Sequence, residues 1–253
     1  MKSPKIPSLA PAQFADAVIA ALVPLADPAL EAGMRAYMRD RFEFLGIQTP
    51  ARRKAVANLI RAQKDASAAD LLRSARMLWT LPEREYQYVA VDLLARHVRK
   101  LNPAHIAALL RLVRKKSWWD TVDALASVIN RIVYANCVAD SARVADSTVQ
   151  TQMDAALASG NLWVRRVAIL HQLGWRSQTD TERLFRYVTA CAHEEEFFIR
   201  KAIGWALRDY ARHAPDAIRR FLATNRAVLS PLSLREAGKH LRTAAAGDNF
   251  SAF

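Results

Sequence analysis

Several residue types are scarce in this sequence of 253 residues, and their scarcity argues against whole classes of protein. Only 2 cysteines occur, Cys137 and Cys191, and they form no Cys-x-x-Cys pair. A disulfide framework, a zinc ribbon and a dithiol redox centre are therefore disfavoured, and we interpret both as buried, reduced thiols of a cytoplasmic protein. Because the 6 histidines show no metal-ligand spacing, we predict that the protein uses no metal and no cofactor.

Glycine and long apolar runs are scarce as well. The 7 glycines are isolated from one another, and the sequence contains no Gly-rich phosphate loop, nucleophile elbow or dinucleotide fingerprint. The longest apolar stretch near the N-terminus, residues 14–25, contains Asp16 and Pro24 and is shorter than the roughly 20 residues that span a bilayer. We therefore expect no membrane association, with a weak signal peptide as the alternative.

The apolar residues that are present recur at intervals of three and four, which is typical of amphipathic helices. No segment has the alternating pattern of a strand, so the sequence predicts an all-α protein. Proline residues or small polar clusters predict where one short helix ends and the next begins. These breaks lie at Thr49-Pro50, Leu81-Pro82, Asn102-Pro103, Ser159-Gly160-Asn161, Ala214-Pro215 and Ser230-Pro231.

Three segments resemble one another: QYVAVDLL from Gln87, RRVAILHQL from Arg165 and RKAIGWAL from Arg200. Their offsets of 78 and 35 residues approximate two periods and one period of about 40 residues, the spacing of HEAT-like helical repeats. We predict one HEAT-like solenoid domain over residues 12–243, whose concave face is available to a long ligand. Residues 1–11 and 244–253 are expected to be flexible. A compact, unrelated helical bundle is the alternative.

Positive charge dominates, with 37 Lys and Arg residues against 24 Asp and Glu, a formal net charge of +13. Arginine supplies 28 of the 37. This imbalance favours an anionic partner. A concave face lined with basic residues would follow a phosphate backbone, and its affinity would fall steeply with salt. The alternative is an arginine-rich, solvated surface.

Several tryptophans lie close in sequence to charged residues, a combination that a reactive site could use. Trp119 and Asp123 are four residues apart in SWWDTVD and share a helix face. Aspartate is a poor helix former in such an interior position, so Asp123 is either a functional carboxylate or an ordinary residue of the polar face. Arg166 follows Trp163 by three residues, and Trp205 follows Lys201 by four. If neighbouring repeats stack in register, these elements meet in one cleft; otherwise Trp163 and Trp205 are core residues.

The sequence resembles a known family, the AlkD-like bacterial DNA alkylation repair glycosylases. The resemblance runs from about Arg35 to Leu241. It rests on ordered segments: YMR from Tyr37, FLGIQTP from Phe44, LPERE from Leu81, SWWDTVD from Ser117, WVRRVAIL from Trp163 and EFFIRKAIGWALRDYA from Glu196. Between Asp123 and Arg166 this chain carries several extra residues, around 136–147, which we expect to lengthen a loop or a helix end.

The resemblance implies HEAT-like repeats that cradle duplex DNA and an enzyme that removes positively charged alkylated purines, such as 3-methyladenine and 7-methylguanine. It implies that Asp123 is the catalytic carboxylate and that Trp119 and Trp205 are aromatic walls beside the sugar. By the same resemblance, Arg166 lies at the carboxylate and the DNA backbone. Two further residues, Tyr37 and Gln48, match cleft positions near the lesion. We expect Arg165 and Lys201, which lie within the WVRRVAIL and EFFIRKAIGWALRDYA motifs, to bind the substrate as well.

The residues fit a reaction in which a cationic base leaves without strong protonation and Asp123 stabilises the sugar cation and orients water. The resemblance implies that the lesion stays stacked in the duplex and is not flipped out of it. We expect a monomer whose partner is double-stranded DNA carrying cationic alkylated bases. Two alternatives are a catalytically silent HEAT-repeat protein that binds unusual DNA structures and a protein-interaction scaffold, which the charge of +13 disfavours.

Overall fold

The protein is all-helical in the computed structural model, which describes residues 8–137 and 148–241. Within these residues there are 13 α-helices, short 3-10 turns and no strand, which confirms the predicted all-α class. The helices are α1 Pro11–Leu22, α2 Pro28–Tyr37, α3 Thr49–Ala62, α4 Ala68–Thr80, α5 Arg84–Arg96, α6 Ile106–Val113, α7 Trp119–Cys137, α8 Thr148–Leu157, α9 Leu162–Leu170, α10 Thr181–Ala190, α11 Phe197–Ala211, α12 Pro215–Thr224 and α13 Pro231–Gly238.

Local sequence signals decide where many of these helices begin. Proline is at one of the first two positions of five of them, α1, α2, α3, α12 and α13, where its missing N–H costs nothing. Before α9, the side chain of Asn161 accepts hydrogen bonds from the N–H groups of Trp163 and Val164, and Ser230 caps α13 in the same way through Ser233. The breaks predicted from proline and small polar clusters are confirmed.

The chain divides into two compact units, residues 1–108 and 109–253, with the division inside α6. In the first unit, α4 packs against α5 and α1, and α3 packs against α1 and α5. In the second, α9 is central because it contacts α7, α8, α10 and α11, and α11 also packs on α13. Repeat proteins are held together by contacts between neighbours, so this division leaves the single repeat domain over 12–243 a prediction.

A buried carboxylate organises the segment between α2 and α3 in the first unit. Glu85, fully buried at the start of α5, accepts hydrogen bonds of 3.0 Å from the backbone N–H groups of Leu45 and Ile47. Between them, Gly46 adopts a φ of +81°, and a Cβ there would overlap the carbonyl of Asp27. Only glycine fits this close approach in the left-handed region. The LPERE motif thus holds the connection that leads from α2 to α3.

Several predictions fall at the edges of the described residues. Pro11 is the first residue of α1, and most of the two terminal segments, like most of the extra residues around 136–147, lie outside what the structure describes. Cys191 is buried as expected, whereas Cys137 is partly exposed, which corrects the expectation that both are buried. Among the described residues no single helix is long and apolar enough to cross a membrane; only the bent pair 11–25 and 28–37 together passes that test.

Candidate active site

A carboxylate and a guanidinium from different helices form the centre of the site. Asp123 is on α7 and Arg166 on α9, and Nε and Nη2 of the arginine each donate to one oxygen of the carboxylate at 2.7 Å. The third nitrogen, Nη1, donates to the carbonyl of Phe198. The arginine side chain is 1% exposed, whereas that of Asp123 is 24% exposed. The buried guanidinium therefore orients a carboxylate whose other side is open to solvent.

This geometry bears on the predicted phosphate contact of Arg166. All three terminal nitrogens of the side chain are already bonded within the protein, and the side chain is almost completely buried. A phosphate could reach it only after a rearrangement of the second unit. The arrangement favours a role in holding Asp123, and the contact with the DNA backbone stays a prediction.

Trp205 lies beside this pair and is surrounded by cations. The Arg166 guanidinium carbon is 5.2 Å from the centre of the indole ring. Lys201 and Arg208 approach the same ring at 5.8 and 6.0 Å. The spacing of Lys201, Trp205 and Arg208, four and then three residues along α11, places all three on one helix face. Asp123, Arg166 and Trp205 are thus brought together, as the sequence predicted from stacked helices.

The two other tryptophans have different surroundings. Trp119 is the first residue of α7, one turn before Asp123 and partly exposed, so it shares the face of the carboxylate as predicted. Trp163 is a core residue, which was the alternative for it. It packs against Trp118 and Phe198 at ring-centre distances of 5.7 and 4.9 Å. This aromatic layer fixes the starts of α7, α9 and α11, which carry the site.

Arg165 and Lys201, both predicted to bind substrate, are engaged in ion pairs within the protein. Arg165 forms a bidentate pair with Glu194 at 2.8 and 2.7 Å, and Lys201 donates to Glu236 at 2.9 Å. The pairing raises the pKa of the Arg165 guanidinium through its hydrogen bond to Glu194 and the charge of that carboxylate, against the effect of burial. Both side chains are partly exposed, so their contact with a substrate stays a prediction.

Tyr37 and Gln48 belong to the first unit, which is described by itself. Tyr37 is the last residue of α2 and is 71% exposed. Gln48 is exposed and precedes α3 as its N-cap. They stand at the two ends of the segment that Glu85 holds. Their predicted positions near the lesion therefore stay predictions.

Sequence reasoning missed Glu236 on α13. Its side chain is 4% exposed and accepts hydrogen bonds from Lys201, Arg208 and Lys239 at 2.8–2.9 Å. Burial alone would raise the pKa of this carboxyl, but the hydrogen bonds from Lys239 and Lys201 and their charges outweigh it and lower the pKa to about 2. The placement of Lys201 and Arg208 on one helix face was the available signal, but the sequence does not show which carboxylate would pair with them.

The chemistry open to this arrangement follows from the lone pairs of Asp123. An ionised carboxylate has about four acceptor positions, and Arg166 occupies two of them. The remaining positions are available to a cation or a water molecule that approaches from solvent. Within residues 8–137 and 148–241, no group of three or more His, Cys, Asp or Glu side chains is placed to hold a metal ion.

Comparisons with known proteins agree with the resemblance seen in the sequence. A family described as "DNA alkylation repair enzyme" matches residues 18–241. A solved structure, described as a predicted DNA alkylation repair enzyme from Enterococcus faecalis, is 32% identical, with a TM-score of 0.75 over 86% of this chain and 97% of that one. No curated protein matches. Because the family match covers most of the chain, this protein belongs to the DNA alkylation repair enzyme family.

Proposed function

We propose that this protein is a DNA glycosylase that hydrolyses the N-glycosidic bond of positively charged alkylated purines, such as 3-methyladenine and 7-methylguanine, in duplex DNA. The single observation that carries the proposal is the fixed and partly exposed carboxylate of Asp123. It is held by two charge-assisted hydrogen bonds from Arg166, and the same guanidinium lies 5.2 Å from the ring of Trp205. A fixed anion beside an aromatic face suits a reaction in which positive charge develops at a sugar.

The mechanism follows from the leaving group. A purine alkylated at N3 or N7 carries a positive charge, so it departs as a neutral base and leaves an oxocarbenium-like deoxyribose. The enzyme then needs an anion close to the sugar and a water molecule to attack it. Asp123 supplies the anion, and one of its unoccupied acceptor positions orients the water. Because Arg166 fixes both oxygens in advance, little reorganisation is required in the transition state.

The indole rings would contact the sugar. Trp205 lies 5.2 Å from the guanidinium that holds the carboxylate, and Trp119 begins the helix one turn before Asp123. An aromatic face attracts a cation within about 6 Å of the ring centre. Such a site acts on the sugar and selects substrates by the lability of a cationic base, without extruding the base from the duplex. Neutral lesions such as O6-methylguanine should therefore react poorly, and bulky cationic adducts should be accepted. Inactivity on larger cationic adducts would contradict this part of the proposal.

The decisive experiment measures base release from methylated duplex DNA by the purified protein. We expect release of 3-methyladenine and 7-methylguanine above the spontaneous rate, and a loss of at least a hundredfold in Asp123→Asn, the range in which removal of an electrostatic stabiliser lowers kcat. Asp120→Asn is the matched control. It removes a carboxylate from the first turn of the same helix, where the charge interacts with the helix dipole, and should retain activity within about threefold.

The possible outcomes separate the proposed enzyme from the alternatives. If the wild type releases no base but binds duplex DNA with a strong salt dependence, the protein is a silent DNA-binding member of its family. If it neither releases a base nor binds DNA, the scaffold alternative is favoured. If Asp123→Asn is as fast as the wild type, the activity stands but the assignment of Asp123 is wrong.

A further inference from the structure

Glu236 is the centre of a buried ion cluster between α11 and α13. Its buried carboxylate is contacted by Lys201 and Arg208 from α11 and by Lys239, which follows α13. Burying a carboxylate among cations involves a desolvation cost that hydrophobic residues of similar size would avoid. Packing of α13 on α11 is already provided by extensive contact between the two helices and by Ser233, which donates to the carbonyl of Arg200 at 2.9 Å. The cluster therefore suggests a role beyond joining the two helices.

The cluster is directly connected to the candidate active site through Trp205. Lys201 and Arg208, which bind Glu236, are the same two residues that approach the ring of Trp205 at 5.8 and 6.0 Å. The residue before this tryptophan is Gly204, and a Cβ there would overlap the side chain of Glu236. Close approach of the two helices at Gly204 thus brings the carboxylate next to the turn that carries Trp205.

This arrangement matters because of the charge that the proposed reaction develops. Three cations, Arg166, Lys201 and Arg208, lie within 6.0 Å of the Trp205 ring. Asp123 balances the first of them, and Glu236 is the carboxylate bound to the other two. Uncompensated ammonium and guanidinium groups at this distance would repel a sugar cation beside the ring. They would also be attracted to phosphate groups of the bound duplex.

We propose that Glu236 is a positioning residue for base excision: its buried carboxylate offsets the charge of Lys201 and Arg208 beside Trp205, where the sugar cation forms, and keeps both side chains from the DNA phosphates. This inference rests on the proposed glycosylase function. Glu236 does not touch the substrate, and it acts through the two cations that it binds. Its carboxylate lowers the affinity for undamaged DNA and raises the rate of excision. The two effects have opposite signs, which a residue that only stabilises the fold would not produce.

The test compares two variants of the Glu236–Arg208 ion pair: one removes the carboxylate charge and the other removes the guanidinium. Glu236→Gln keeps the shape of the side chain and removes the negative charge. We expect excision of 7-methylguanine under single-turnover conditions, with enzyme in excess, to slow about tenfold. Affinity for undamaged duplex should rise about threefold, and the slope of log K against log salt should steepen by about one as a released cation meets a phosphate.

Arg208→Gln removes one of the cations and leaves Glu236 bound to Lys201 and Lys239. We expect weaker binding to undamaged duplex and excision in the saturated complex that is at least as fast as that of the wild type. Lys239→Gln is the control, because it removes a cation that binds Glu236 but is not among the cations described beside the Trp205 ring. It should excise within about twofold of the wild type.

The outcomes distinguish a failure of this inference from a failure of the proposed function. If the wild type releases no base, the glycosylase proposal fails, and the DNA-binding measurements still decide whether Glu236 offsets charge. If Glu236→Gln excises at the wild-type rate, or binds undamaged DNA no more tightly, the inference is overturned. If both variants slow excision by similar factors, Glu236 has only a structural role. Should Glu236→Gln fail to fold, slower excision by Arg208→Gln alone overturns the inference.

Discussion

Removing Asp123 from its ion pair with Arg166 should destabilise the protein far more than removing Arg166. Removing Asp123 leaves the Arg166 guanidinium, which is 1% exposed, without a counter-charge. Removing Arg166 leaves a carboxylate that is 24% exposed and can be hydrated. The penalty for an unpaired charge depends on how completely water is excluded from it. We therefore expect Asp123→Ala to be more destabilising than Arg166→Met, although the arginine is the much larger side chain.

The magnitudes follow from these burial values. An uncompensated buried charge costs about 3–5 kcal/mol, so Asp123→Ala should lower Tm by about 6–20 °C at this chain length. In Arg166→Met the partly exposed carboxylate of Asp123 can be hydrated, so the main loss is the donor to the Phe198 carbonyl, and the cost should be about 1–3 kcal/mol. The double variant, Asp123→Ala with Arg166→Met, has lost both charges of the pair and leaves neither unpaired. It should therefore be more stable than Asp123→Ala alone, a clear departure from additivity.

Urea unfolding followed by circular dichroism measures these differences, with a common m-value as the check that the denatured states are comparable. A larger loss in Arg166→Met than in Asp123→Ala would refute the reasoning, and so would additive losses in the double variant. The same argument explains why Asp123→Asn is the appropriate variant for activity. Asparagine removes the counter-charge but retains one oxygen that can accept from the buried guanidinium, so Asp123→Asn should destabilise the fold less than Asp123→Ala does.

Three further predictions concern buried polar groups. Glu85→Gln leaves the N–H of Leu45 or Ile47 without its acceptor and should cost about 1.5–3 kcal/mol in urea unfolding; a loss below about 0.5 kcal/mol would contradict it. Burial lowers the pKa of His171 to about 4. The unfolded chain therefore takes up this proton first, and His171 should contribute a fall in stability of about 3 kcal/mol between pH 6.5 and 4. His171→Phe should reduce the dependence of stability on pH in this range by that amount, and an unchanged dependence would refute the prediction. Burial, followed by the charge of Glu194, raises the pKa of the Cys191 thiol to about 12. At pH 8, iodoacetamide should therefore modify Cys191 at least about a hundredfold more slowly in the native than in the unfolded protein, as measured by peptide mass spectrometry. Comparable rates of modification would be inconsistent with this environment.

Much of the helical architecture could be predicted because its signals are local. Proline at the helix starts and caps such as Asn161 act within one turn, and the spacing of Trp119 and Asp123 places them on one face without reference to any other helix. The convergence of Asp123 with Arg166, 43 residues away, was inferred from stacked repeats and from the family resemblance. Neither source indicated that Arg166 would be buried, because the exposure of an arginine depends on the helices packed around it.

The sequence by itself determined the all-helical class, the helix starts and the family, since periodicity, capping and ordered motifs can be read along the chain. Only the tertiary structure decided which charges neutralise one another. Lys201 looked like one more basic residue available to DNA, but packing of α13 on α11 brings Glu236, 35 residues away, into contact with it. Cys137 and Cys191 occur in similarly apolar segments, yet only Cys191 is buried. Ion pairing and burial are set by which helices meet, and that is a property of the packed chain as a whole.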